Sequence, residues 1–108
     1  MSHRVVFAPE AQEQLADLYH YIAAAASADI AAHYTEAILN YCESLSNFPL
    51  RGTVRHDIRP GLRITHYRRR AVIAFTVDTQ QVSILGIFYG GRDYESVLQE
   101  GADDDAAH

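Results

Sequence analysis

Residues 61–98, GLRITHYRRRAVIAFTVDTQQVSILGIFYGGRDYESVL, decide the fold of this chain. β-Branched and aromatic residues are concentrated in three runs, which predict strands at about Leu62–Tyr67, Arg70–Val77 and Val82–Tyr89. Residues 78–81 have the length of a hairpin turn, so consecutive strands should be antiparallel. Arginines and tyrosines collect near the end of this stretch, where we expect a partner to bind. The polar residues there are Tyr89, Arg92, Asp93 and Tyr94.

Upstream of this sheet, the sequence predicts a short strand and two helices. Residues 4–8 (RVVFA) are strand-like, and Pro9 is favoured at the first position of a helix. The first helix should end near Ala25 or Ala26, and Ser27 should cap the second, which Pro49 terminates. The short link predicts an antiparallel helical hairpin. The apolar stripes are Ala11, Leu15, Leu18 and Ile22, then Ile30, Tyr34, Ala37, Ile38, Tyr41, Leu45 and Phe48.

These elements predict an α+β fold in the order strand–helix–helix–strand–strand–strand, with the helical hairpin packed on one face of an antiparallel sheet. The last two strands are apolar on both faces, so both faces need cover. Each large apolar side chain left exposed would forgo about 1.5–3 kcal/mol of burial. The second face is covered either by the domain's own ends or by another chain. We expect the latter, a segment of a different polypeptide.

Length and composition fit one domain, residues 1–100, followed by an acidic tail, residues 101–108, that we expect to be disordered. No apolar run approaches the roughly 20 residues needed to span a bilayer. The single cysteine, Cys42, has no partner for an internal disulfide, which suits a reducing cytoplasm. We expect Cys42 to be a buried apolar group and the protein to be cytoplasmic.

Charge is distributed unevenly along the chain. The net charge of −5 argues against a protein that binds nucleic acid directly. However, residues 51–100 carry eight of the nine arginines against five acidic residues. The densest positive charge is the run Arg68, Arg69 and Arg70, which is either a solvated loop or a docking patch for an acidic partner. Arginine suits such a patch because it stacks and forms bidentate hydrogen bonds.

The order of elements, together with several short sequences between about Val5 and Leu98, resembles the RelE/ParE toxin superfamily, and the ParE branch more closely. The sequences that carry the resemblance are Ala8-Pro9-Glu10-Ala11, Leu15, Leu18, Tyr21-Ile22, Phe48-Pro49, Gly61-Leu62-Arg63, Ile73-Ala74-Phe75 and Ile84-Leu85-Gly86-Ile87. One departure is visible: Tyr89 stands where many ParE sequences have histidine.

The resemblance implies the toxin of a bacterial type II toxin–antitoxin module, acting in plasmid stabilisation or growth control and neutralised by a ParD-like antitoxin. ParE toxins act on DNA gyrase by binding it, which requires no catalytic residue. RelE toxins instead cut messenger RNA on the ribosome, and an inactive homologue that functions only in the antitoxin complex is a third possibility. On the gyrase hypothesis, the expected partner-binding residues are Arg63, Arg68, Arg69, Arg70, Tyr89, Arg92 and Tyr94. The expected antitoxin groove is Leu15, Leu18, Tyr19 and Ile22.

If the chain were a ribonuclease, Arg63, Tyr89 and Arg92 would be its catalytic candidates, with His66 and Tyr67 nearby in the sequence. A tyrosine has an ordinary pKa of about 10, so it acts as a base only if that pKa is strongly shifted. A chain of net charge −5 is also poorly steered to a polyanionic ribosome. We expect no metal and no cofactor: the histidines lack ligand-like spacing, and no lysine follows Gly90-Gly91 as a phosphate loop requires.

Overall fold

The computed structural model describes residues 3–99. The predicted tail, residues 101–108, lies outside this range. Residues 94–99 are helical, and residues 45–47 and 68–70 are turns. The remaining elements are β1 (Arg4–Phe7), α1 (Pro9–Ala25), α2 (Ala28–Ser44), β2 (Thr53–Val54), β3 (Arg63–Tyr67), β4 (Ala71–Val77) and β5 (Gln81–Tyr89).

The five strands form one sheet in the order β1-β5-β4-β3-β2. The three predicted strands are confirmed as the antiparallel neighbours β3, β4 and β5. The N-terminal strand β1 instead pairs parallel with β5, ending at Phe7 opposite Ile84. Thr53–Val54, for which the sequence predicts no strand, forms a two-residue edge strand against β3. The first and last strands therefore meet at one side of the sheet, while β2 closes the other.

Both predicted helix starts are confirmed. Pro9 is the first residue of α1, and the Ser27 side chain accepts a hydrogen bond from the Ile30 amide at 3.1 Å. The second helix ends at Ser44, before the predicted limit, because residues 45–47 form a turn. Phe48 consequently lies beyond the helix and is 59% exposed. Ile30, in the first turn of α2, is 55% exposed, so the predicted place of both residues on the buried stripe is wrong.

One face of the sheet packs against the helical hairpin. Apolar side chains of α1 and α2 interleave with those of β4 and β5, and Cys42 is fully buried as predicted. This layer fixes the position of α1 over β5. The buried members are Ala11, Leu18, Ile22, Ala31, Ile38, Cys42, Leu45, Ala71, Ile73, Phe75, Val82, Ile84 and Ile87.

The second face is covered by the chain itself, so the expectation that another polypeptide completes it is wrong. Residues 55–62 and 94–99 fold across it and bury Ile58, Phe88 and Leu98 with their neighbours. Arg55 links the two segments, because its guanidinium forms ion pairs with both Asp57 and Glu95. A guanidinium nitrogen of Arg59 also donates to the Leu98 carbonyl at 3.0 Å. These polar contacts lie at the margin of the apolar layer on the second face, for which the sequence pattern alone indicated no covering segment.

Candidate partner-binding site

A strained arginine turn joins β3 to β4. Arg68 and Arg69 have φ angles of 52° and 65°, and the Arg70 amide donates to the Tyr67 carbonyl at 3.2 Å. Positive φ at both central residues is typical of a type I′ turn, which suits hairpin twist but favours Asn-Gly. An L-residue with a side chain costs roughly 1–2 kcal/mol in this region. Strain of this kind at exposed charged residues supports a functional role for the turn.

Three tyrosines pack behind this turn. The Tyr34 ring of α2 meets those of Tyr67 and Tyr89 edge-on, at centroid distances of 6.1 and 5.6 Å. Burial, followed by the neighbouring tyrosines, raises the pKa of Tyr34. Interaction with the Tyr89 hydroxyl raises the pKa of Arg70. The tyrosines thus pack together behind the turn, and Tyr89 holds the charged guanidinium of Arg70 beside them.

Two adjoining clefts lie between α1 and this end of β5. One, of about 390 Å³, is lined by Tyr21, Arg69, Arg70, Tyr89 and the Gly90-Gly91 pair. The other, of about 350 Å³, shares Tyr21, Tyr89 and Gly90 with the first and adds Arg92. The structure therefore brings together Tyr89 and three of the predicted arginines. Arg68 lies beside them, with its guanidinium carbon 5.4 Å from the centre of the Tyr67 ring.

Tyr21 belongs to this site but was not among the predicted site residues. Its side chain is 65% exposed and lines both clefts. The available signal was a large aromatic residue immediately before Ile22, off the apolar stripe of the first helix. In the sequence, Tyr21 contributes only to the family resemblance.

Arg63 and Tyr94 lie elsewhere. Arg63 pairs with Phe75 on the neighbouring strand, whereas Tyr67 pairs with Ala71. Ala71 in turn pairs with Tyr89, so Tyr67 and Tyr89 belong to one row of residues across the sheet and Arg63 belongs to another. The two rows are four residue steps apart along the strand, a distance of about 13 Å. A guanidinium nitrogen of Arg63 donates to the Leu50 carbonyl at 2.6 Å. The three ribonuclease candidates are therefore not assembled into one site.

Tyr94 packs on the second face of the sheet, with its ring centroid 6.1 Å from that of Phe88. It is partly buried there, so its expected role in partner binding has no support from this position.

The predicted antitoxin groove divides into two pairs of residues. Leu15 and Tyr19 line a groove of about 580 Å³ between β1 and the helices, with Phe7 and Leu39 among its walls. Leu18 and Ile22 are only 6% and 9% exposed, so their assignment to the groove is corrected. They occupy the face of α1 that packs on the sheet, whereas Leu15 and Tyr19 are partly buried at the margin of the same core and line the groove.

A second apolar surface was also missed. Arg51 lies between the rings of Tyr41 and Phe48, with its guanidinium carbon 5.2 and 5.1 Å from their centroids. Leu50 is exposed beside them. Phe48 and Leu50 flank Pro49 in the sequence, and this apolar pair at a turn was the available signal.

Neither a metal site nor a membrane span emerges from residues 3–99. No group of three or more His, Cys, Asp or Glu side chains in this part of the chain is arranged to hold a metal ion. Its helices are also too short or too polar to cross a membrane.

Comparison with known proteins identifies the family. The sequence model for the "ParE toxin of type II toxin-antitoxin system, parDE" matches residues 5–94. The chain belongs to the ParE toxin family. This confirms the branch of the superfamily that the sequence resembles, and the matched range contains the arginine turn, both clefts and the groove beside β1.

Solved structures share the fold of this ParE-family toxin. The chromosomal ParDE toxin–antitoxin system from P. aeruginosa contains a chain that matches with a TM-score of 0.72 at 19% identity, covering 82% of this chain and 96% of that one. The toxin–antitoxin complex RelBE2 from Mycobacterium tuberculosis matches with a TM-score of 0.60 at 18% identity, covering 83% and 100%. Comparison with curated protein sequences gave no match.

Proposed function

We propose that this ParE-family toxin inhibits DNA gyrase by binding it in the cytoplasm and is neutralised by a cognate ParD-like antitoxin. The observation that carries the proposal is the family match over residues 5–94. It agrees with a surface on which Arg68, Arg69 and Arg92 are exposed beside aromatic rings. Arginine and tyrosine are enriched where proteins recognise proteins.

The geometry favours binding over RNA cleavage. A cleavage site needs a base, an acid and cations within hydrogen-bond reach of one phosphate. Arg63 is separated from Tyr89 by four residue positions along the sheet, and it contacts the Leu50 carbonyl instead. The ribonuclease alternative therefore has the shared RelE-like fold in its favour, but only two of its three candidates, Tyr89 and Arg92, share a cleft.

We propose that the antitoxin binds in the groove that Leu15 and Tyr19 line. Its walls are mainly apolar, and one of them is β1. Within residues 3–99, β1 pairs with no strand other than β5, and on its outer edge the Gln12 side chain donates to the Phe7 carbonyl at 3.0 Å. An extended antitoxin segment can add to the rest of this edge while placing apolar side chains in the groove.

Expression of the toxin alone in bacteria tests the target. We expect induction of the DNA-damage response with intact messenger RNA, and inhibition of supercoiling by purified gyrase. Arg92→Ala should abolish both effects without changing the melting temperature, while Arg4→Ala, which removes an arginine at the other end of the sheet, should leave both unchanged. Transcript fragmentation without DNA damage would establish the ribonuclease instead, and normal growth would favour an inactive homologue.

A further inference from the structure

The β5 strand has a short free edge beside α1. Pairing with β1 stops at Ile84, yet β5 continues to Tyr89. The Ile87 amide points away from β4 and donates instead to the Gln14 side chain at 2.7 Å. Backbone groups alternate in direction along a strand, so the Tyr89 amide and carbonyl point to the same open side as those of Ile87. Within residues 3–99, Gln14 satisfies one donor, and the Ile87 carbonyl and the Tyr89 amide and carbonyl have no hydrogen-bond partner.

This edge forms the floor of the cleft that Tyr21 and Arg92 line, and the cleft opens towards Arg69 and Arg70. The ion pairs within residues 3–99 join Arg55 to Asp57 and Glu95, and none of them includes these three arginines. Asp17 lines the same cleft on the α1 side. The positive charge is therefore concentrated at the Gly90-Gly91 end, away from the end marked by Gln14.

We propose that this edge binds an extended, acidic segment of the protein that the toxin inhibits. The segment pairs its main chain with Ile87 and Tyr89, stacks on Tyr21, and directs carboxylates at Arg69 and Arg92. Three features select this occupant. The open strand edge requires an extended backbone, the arginines require negative charge, and the strained turn holds Arg69 at the mouth of the cleft. This site is separate from the groove beside β1.

The inference rests on the proposed function, because it assigns the surface that recognises the target. The direct test uses the purified full-length chain and a short fluorescein-labelled peptide of alternating glutamate and threonine, followed by fluorescence anisotropy. Two peptides serve as controls: one has lysine for glutamate, and the other has proline for threonine, which retains the charge but removes the amides that would donate to the Ile87 and Tyr89 carbonyls.

We expect the glutamate peptide to bind, the lysine peptide not to bind, and the proline peptide to bind at least about fivefold more weakly. Arg92→Ala and Arg69→Ala should each weaken binding of the glutamate peptide about fivefold, while Arg4→Ala should not. Amide chemical shifts should change at Tyr89, Gly90 and Gly91.

Equal losses in Arg4→Ala and Arg92→Ala would mean diffuse charge attraction and would overturn the proposal, as would equal binding of the proline peptide. Shift changes centred on Leu15 and Tyr19 would place the peptide in the antitoxin groove and would also overturn it. If replacing Asp103, Asp104 and Asp105 by Asn strengthened binding more than about tenfold, the chain's own acidic segment would be the occupant, not a partner. Peptide binding at this edge without any effect of the toxin on gyrase would refute the proposed function and leave the site intact.

Discussion

Truncating Leu98 to alanine tests whether the second face of the sheet is covered by the chain's own residues in solution. Leu98 is 6% exposed and belongs to the apolar layer that contains Ile58 and Phe88. Replacing a buried leucine with alanine costs about 2–5 kcal/mol. Residues 94–99 form a short helix that can partly collapse onto the gap, so we expect a loss of about 2–3 kcal/mol in the free energy of unfolding.

Val97 supplies the matched control because it is the adjacent residue and is 38% exposed. Val97→Ala removes partly exposed methyl groups and should cost less than about 1 kcal/mol. Urea denaturation of both variants measures the difference, and Leu98→Ala should also lower the melting temperature by about 10 °C. Equal stabilities for the two variants would show that residues 94–99 do not cover the sheet, and the face would again need an external cover.

Three further predictions concern other parts of the domain. Gly52→Ala should lower the melting temperature far more than Gly61→Ala. Both glycines have positive φ, but only at Gly52 would the new Cβ lie 2.3 Å from the Ile64 carbonyl oxygen. Equal losses of melting temperature in the two variants would contradict this prediction. Burial raises the pKa of the Cys42 thiol from 9.0 to about 12. An aromatic disulfide reagent should therefore label Cys42 only after unfolding, and rapid labelling of the native protein would refute this. The stability of the fold should also decline as the pH rises above the unfolded-state pKa of the thiol. Hydrogen bonds from the backbone amides that follow Asp78 lower the pKa of its carboxyl group. The stability that this carboxylate contributes is therefore present at pH values above its unfolded-state pKa and is lost as the pH falls through its folded-state pKa. Asp78→Asn should flatten the acid limb of the curve of stability against pH, and an unchanged acid limb would contradict this prediction.

Local patterns in the sequence predicted the elements that local chemistry controls. Ser27 begins α2 because its side chain accepts the Ile30 amide, and Pro9 begins α1. The apolar runs of β3, β4 and β5 are long enough to identify strands. The parallel pairing of Phe7 with Ile84 could not be predicted, because it joins residues at the two ends of the domain and no local pattern specifies it.

The candidate site was predicted as a set of residue types but not as a geometry. Arg92, Arg69 and Tyr89 do meet, because the turn after β3 and the end of β5 are adjacent. Arg63 lies apart from them, since its distance from Tyr89 depends on the register between β3 and β4, which no local pattern specifies. Tyr21 comes from a different element, and only the packing of α1 over β5 places it in the cleft.

The pairing of β1 with β5 has a consequence for the synthesis of the toxin. Contacts between Arg4 and Gln81 join positions 77 apart in the sequence, so β1 leaves the ribosome long before its partner strand exists. At about 5–20 residues per second, that interval is roughly 4–15 s per molecule. The groove beside β1 and the cleft beside β5 both require the completed sheet, so a nascent chain exposes neither. If the groove binds the antitoxin and the cleft binds the target, as proposed above, both surfaces form at the same stage of folding, and an antitoxin already present in the cell competes with the target from that moment.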